Sequence, residues 1–153
     1  MSAFLETTVD KFTFRVPTDR LYAADGLWVL QLDPQDSVRV RVGVTDFMQQ
    51  RSGDIAFVTV RPPGSELVVG GDLADIETVK VNVALVSPVS GAVLEVNPAL
   101  GATPEIVNQD PYGDGWLAVI AVTDWEANRQ GLLTPEAYFT HMQEQARSEV
   151  QST

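Results

Sequence analysis

The chain has no cysteine, a single histidine and only two lysines among its 153 residues. Without cysteine it can form neither a disulfide nor a thiolate metal site, so any sulfur redox chemistry has to come from a cofactor or a partner. His141 cannot by itself supply the converging ligands of a metal site and reads as a solvated or hydrogen-bonded side chain beside an apolar stripe. Positive charge is scarce as well. The 10 Lys and Arg residues face 21 Asp and Glu, a net charge of -11, which argues against nucleic acid and anionic membrane surfaces and for partners with basic docking surfaces. No apolar run approaches the roughly 20 residues of a membrane span, and Met1-Ser2-Ala3-Phe4-Leu5-Glu6 lacks the basic start and apolar stretch of a secretory signal. A cytoplasmic protein is expected.

The residues present suit one well-buried core: 44% are hydrophobic, and the length is short for two domains. Residues 1–10 carry no clear pattern and are expected to be loose, with a single domain over 11–153. Lys11 to Val16 and Leu27 to Leu32 alternate, and Val38-Arg39-Val40-Arg41-Val42 sets valines on one face and arginines on the other. A half-buried strand with a solvated arginine face follows, an alternative being a cationic docking patch. Thr45 caps a predicted helix through Arg51, ended by Gly53, and Asp54 to Val60 returns to strand. Ala99 to Asn108 reads as loop with a helical turn at Pro104–Val107, and Trp116 to Val122 as a buried strand. Asp124 caps a short helix containing Trp125. Pro135 opens the last helix, where Tyr138, Met142, Ala146 and Val150 form an apolar stripe suited to packing.

Lys80, within Ile76-Glu77-Thr78-Val79-Lys80-Val81, falls between two β-rich half-patterns. Pro63 to Asp72 reads as turn, short strand, turn, and Val86 to Asn97 repeats that rhythm. A nearly unique amine at the tip of a hairpin is open to an attaching enzyme. These units resemble a lipoyl or biotinyl carrier. Valines rather than methionines flank Lys80, which favours lipoate over biotin. Val42-Gly43-Val44-Thr45-Asp46-Phe47, Ser52 to Val58 and Asn108 to Trp116 extend the likeness, in order, to the glycine cleavage H protein family.

That resemblance implies a mostly β fold, a flattened barrel-sandwich hybrid of the hammerhead kind with short helices and a C-terminal helix. It also implies lipoate amide-linked to Lys80, with Glu77 read by lipoate-attaching enzymes and Gly64 and Gly91 matching the family's turn glycines. Such a protein is a monomeric swinging-arm carrier, not an enzyme. The family pattern places a Glu directly before a tryptophan and an Asp four residues beyond the lipoyl lysine, clamping a cationic aminomethyl cargo. Here those positions are Leu27, before Trp28, and Ala84, with Asp25 a nearby substitute. The departures resemble lipoate-binding proteins of bacterial sulfur oxidation, which act with a heterodisulfide-reductase-like complex. Sulfur intermediates are therefore the expected cargo, with the aminomethyl group of glycine cleavage second and an unmodified adaptor third. Val81, Val83 and Leu85 would suit an uncharged sulfur adduct, although alternating strand core explains them more simply.

Overall fold

The computed structural model describes residues 3–32 and 37–151. β1 (Phe4–Val9) and β2 (Phe12–Pro17) form an antiparallel hairpin, turned by Asp10 at φ +58°. The expectation of a loose N-terminus is thus corrected at residues 4–9. Their inward side is only half-buried except at Val9, so the pattern is weak until β2 supplies the pairing partner.

The chain then runs through β3 (Leu21–Tyr22), β4 (Leu27–Gln31), β5 (Arg39–Val44), α1 (Asp46–Ser52), β6 (Ile55–Val60), β7 (Glu66–Leu67) and β8 (Asp72–Thr78). After these come β9 (Asn82–Val86), β10 (Gly91–Val96), a 3-10 turn at Pro98–Leu100, α2 (Ile106–Gln109), β11 (Ala118–Val122), α3 (Trp125–Gln130) and α4 (Pro135–Gln151). Two sheets face each other across the core: a six-stranded one ordered β3-β4-β5-β11-β10-β7 and a three-stranded one ordered β6-β8-β9. Leu27, Val29, Val40 and Val42 from the first meet Leu73, Ile76 and Leu85 from the second in one apolar cluster. This is a barrel-sandwich arrangement, mostly β, with a C-terminal helix.

The two half-patterns around Lys80 interlock through the backbone. Gly64 N donates to Val93 O at 2.8 Å, Val93 N to Ser65 O at 3.0 Å, Gly70 N to Ser87 O at 2.9 Å and Ser87 N to Gly71 O at 2.8 Å. The segment before β8 is thereby stitched to the segment after β9, which leaves the β8–β9 hairpin projecting from a closed base.

Residue type explains most element ends. Thr45 Oγ1 accepts from Met48 N at 3.2 Å to start α1, and Gly53 at φ +88° stops it. Thr134 Oγ1 accepts from Ala137 N at 3.2 Å at the start of α4. Tyr138, Met142 and Ala146 are buried against the N-terminal hairpin, whereas Val150 leaves the stripe and is exposed. The Tyr138 ring stacks on Tyr22 with centroids 4.7 Å apart, and its hydroxyl lies 3.0 Å from Thr45 Oγ1. Burial raises Tyr138 to about 12, with the Thr45 hydrogen bond opposing.

Two expectations shift. Arg39 and Arg41 are half-buried with buried Nε atoms, not freely solvated, and the Arg41 guanidinium sits 4.8 Å over the Trp116 ring. The indole covers the strand face and gains a cation–π contact. The last strand begins at Ala118, two residues later than the apolar run suggests. Asn97 Nδ2 donates to the carbonyls of Asp114 and Trp116, each at 2.8 Å, and shapes the entry as loop.

Candidate functional site

Lys80 occupies the tip of the β8–β9 hairpin, next to Val79, which is 90% exposed. Thr78 builds this turn almost alone. Its backbone N donates to Val81 O at 2.9 Å, and its hydroxyl donates to the same carbonyl at 2.9 Å. That hydroxyl also accepts from Lys80 N at 3.2 Å and Val81 N at 3.0 Å. A side chain thus satisfies the amides that a β-ladder leaves open at its end, as Ser and Thr turns do. The sequence reading passed over Thr78, although a threonine two residues before a turn's lysine is the available signal.

The Lys80 side chain lies across the end of α1. A Cβ added to Gly53 would sit 3.5 Å from Lys80 Cε and 3.7 Å from Nζ, so the bare glycine backbone is the surface on which the aliphatic stem rests. Asn108 of α2 fixes that surface. Its Nδ2 donates to Gly53 O at 3.0 Å and to Gln49 Oε1 at 2.9 Å, while its Oδ1 accepts from Ile55 N at 2.9 Å. The amine therefore stands over the carbonyl end of a short helix, where the backbone dipole favours positive charge. Gly53 entered the sequence reading as a helix stop and Asn108 as loop, each also within a family-like motif; their joint role depends on pairings between distant segments.

Glu77 is exposed on β8, paired across the sheet with Phe57 of β6 on one side and Asn82 of β9 on the other. Gly64 and Gly91 belong elsewhere, at the stitched base of the hairpin. Gly64 turns the chain at φ +91°, and at Gly91 a Cβ would meet Ala121 O at 1.8 Å, so only glycine permits β10 to pair with β11 there. Both hold the base closed and neither is brought to Lys80.

The two missing-acid positions have different environments. Leu27 is 1% exposed inside the main core, on β4 opposite Val44. Ala84 is exposed on β9, opposite Asp75. Of the three apolar residues that follow Lys80, Leu85 is buried, Val83 is half-buried and Val81 is exposed at 48%, so strand core accounts for Leu85 and not for Val81. Partial burial raises the Asp25 carboxyl above its ordinary range, held back by hydrogen bonds from the Asp25 and Leu27 backbone N–H groups. Asp25 sits at the turn into β4. Among the described residues no three metal-ligating side chains converge, and no helix is long and apolar enough to cross a membrane.

A lysine raised on a side-chain-locked hairpin above a closed barrel-sandwich base defines a carrier-type domain. The family model for the glycine cleavage H-protein matches residues 20–145, and the chain belongs to that family. A glycine cleavage system H protein from Coprothermobacter proteolyticus is 48% identical over 103 residues, 67% of this chain and 79% of that protein. One from Chlorobium limicola is 42% identical over 123 residues, 80% of this chain and 94% of that protein. In three dimensions the chain is similar to the crystal structure of a glycine cleavage system H protein from Mycobacterium marinum, with TM-score 0.68 and 32% identity over 82% of this chain and 97% of that one.

Proposed function

We propose that this chain is a cytoplasmic lipoyl carrier, modified on Lys80 and serving partner enzymes without catalysing a reaction itself. The single observation that carries this reading is the exposed lysine on the Thr78-locked hairpin tip, in a chain of the H-protein family. The residues present fit the group. Lys80 Nζ is unencumbered by an ion pair among the described residues, its stem lies on Gly53, and the hairpin carrying it is closed by hydrogen bonds at both ends.

When bound, amide-linked lipoate would supply a cyclic disulfide at the end of a flexible arm. Acylation joins Lys80 Nζ to an activated lipoyl carboxyl, breaks the bond to the activating group, which leaves as its anion, releases two protons from the ammonium nitrogen, and removes its charge. Thr78 keeps the departure point rigid, so the reach of the arm is set from a fixed origin. Holding the arm at a docked enzyme raises its local concentration to something like the millimolar range. Glu77, directly opposite Phe57 on the adjacent strand and three residues before the acceptor, offers a carboxylate to a lipoate-attaching enzyme.

Glycine cleavage is the pathway the relatives' names support, with the aminomethyl group as cargo and the glycine cleavage enzymes as partners. Leu27 and Ala84 favour a second reading. Apolar residues where the family pattern has carboxylates deprive a cationic cargo of charge-assisted hydrogen bonds and suit an uncharged sulfur intermediate delivered to a heterodisulfide-reductase-like complex.

The test of the carrier reading is intact mass after incubation with lipoate, ATP and a lipoate-attaching enzyme. One lipoyl increment on the unaltered chain and none on Lys80→Arg is expected, because arginine keeps the charge but has no acylable amine. An increment mapped to Lys11, or surviving that substitution, refutes it, and no increment at all returns the chain to an unmodified adaptor. Supplying the loaded protein separately to glycine decarboxylase and aminomethyltransferase, or to the sulfur-oxidising complex, distinguishes the pathways.

A further inference from the structure

The outer face of the three-stranded sheet carries an aromatic side chain that nothing in the fold covers. Phe57 is 65% exposed although it lies in the middle of β6. Register sets it directly opposite Glu77, and Glu77 opposite Asn82; the next row is Thr59, Asp75 and Ala84. Val79 and Val81, 90% and 48% exposed, extend the apolar surface to the tip that bears Lys80. Asp54, Asp75 and Glu77 are all exposed on β6 and β8 or beside them, and none forms an ion pair among the described residues. Lys80 is the cation at the tip and Arg61 stands at the far end of β6.

Resting on the Lys80 reading, we infer that this face is the docking surface for the lipoate-attaching enzyme, with Phe57 as its anchor in an apolar socket rimmed by basic side chains. Position and charge argue for this occupant: the face adjoins the amine that the attaching enzyme must reach, and its carboxylates disfavour two others. A second copy of the chain would bring a net charge of -11 against unpaired carboxylates, and an anionic membrane would be repelled likewise. A large aromatic side chain surrounded by polar and charged neighbours has the make-up of an interface hot spot. Loading reinforces the asymmetry: acylation of Lys80 cancels the tip's cation while Asp54, Asp75 and Glu77 remain, so the loaded face is more acidic than the unloaded one.

The experiment is steady-state lipoylation of the full chain by a lipoate–protein ligase with ATP and lipoate, varying the carrier concentration. Phe57→Ser should raise KM at least about tenfold with kcat within about twofold, Phe57→Leu should restore most of that loss, and Leu94→Ser, 47% exposed on β10 of the other sheet, should change neither. Asp75→Asn with Glu77→Gln should flatten the salt dependence of kcat/KM. Thermal melting of each variant should match the unaltered chain, since an exposed side chain contributes little to folding. Unchanged KM for a folded Phe57→Ser overturns the docking surface while leaving attachment at Lys80 intact. Absence of the mass increment even at saturating ligase defeats the Lys80 reading instead.

Discussion

Replacing Leu27 by glutamate separates a closed core position from a vacant cargo clamp. Leu27 is 1% exposed and packed within the main apolar cluster. A carboxyl there loses water on all sides, and burial of this kind raises a glutamate by about 3–5 pK units above its ordinary value near 4.3. In the unfolded chain the group ionises normally. The folded state therefore binds the extra proton between the two values, and stability falls as pH rises through that window. At pH 5 the penalty is about 1 kcal/mol; at pH 8 it reaches about 4–5 kcal/mol, in addition to the lost leucine burial of up to about 1.5–3 kcal/mol. Urea unfolding at the two pH values reads the difference directly. With a slope near 2 kcal/mol/M, the midpoint of Leu27→Glu should drop by about 1.5–2 M more at pH 8 than at pH 5, after subtracting the same change in the unaltered chain. If the two proteins' midpoints move in parallel, the carboxylate at 27 is wet or paired. The position would then still be open to a cationic cargo, and the core packing of Leu27 would carry no argument about pathway.

Ala84→Asp tests the other missing acid without that complication, because Ala84 is exposed; stability should change by less than about 0.5 kcal/mol, and retention of an aminomethyl cargo on the loaded carrier, followed by mass, should lengthen if the site matters. Gly53→Ala should cost about 1–2 kcal/mol from the φ of +88° and should move the Lys80 side-chain resonances in NMR spectra, whereas unchanged Lys80 signals would show that the stem does not rest there. Asp25 is exposed in the turn before β4 but partly desolvated, which raises its carboxyl and makes its ionisation oppose folding slightly: Asp25→Asn should remove a small component of stability that is present at low pH and lost as pH rises through the folded value, and a variant that tracks the unaltered chain from pH 3 to 7 would refute that desolvation.

What the sequence made legible was local. Val40, Val42 and Val44 alternate with polar or small neighbours, and they are buried on β5 as the period requires. Thr45 and Gly53 bound a helix because one supplies an acceptor and the other a positive φ. Lys80 is at a hairpin tip because the flanking half-patterns each close on glycine and proline turns. The parts that escaped were those made by pairing across distance. Residues 4–9 gain their strand from β2, Arg41 is covered by Trp116, and Gly53 is fixed by Asn108, 55 residues further on. Phe57 fell in a segment read simply as strand; it shares the outer face with Thr59 while Val58 and Val60 turn inward, and the register shift between Ile55 and Phe57 lets Ile55 face the core as well.

That bulge bears on how the site divides its tasks. If Phe57 pointed inward it would compete with Val58 and Val60, which pack against the core, and the outer face would carry only polar groups around Lys80. Turning it outward forgoes the burial of a phenylalanine, about 1.5–3 kcal/mol, while the base beneath is closed by backbone hydrogen bonds at Gly64, Ser65, Gly70 and Ser87. The stable half of the molecule thus lies beneath the hairpin and the exposed apolar surface beside the lysine. On the proposed modification of Lys80, the loading enzyme and later partners make different demands that this separation meets: rigidity at the base, and at the tip a surface whose charge would change on acylation.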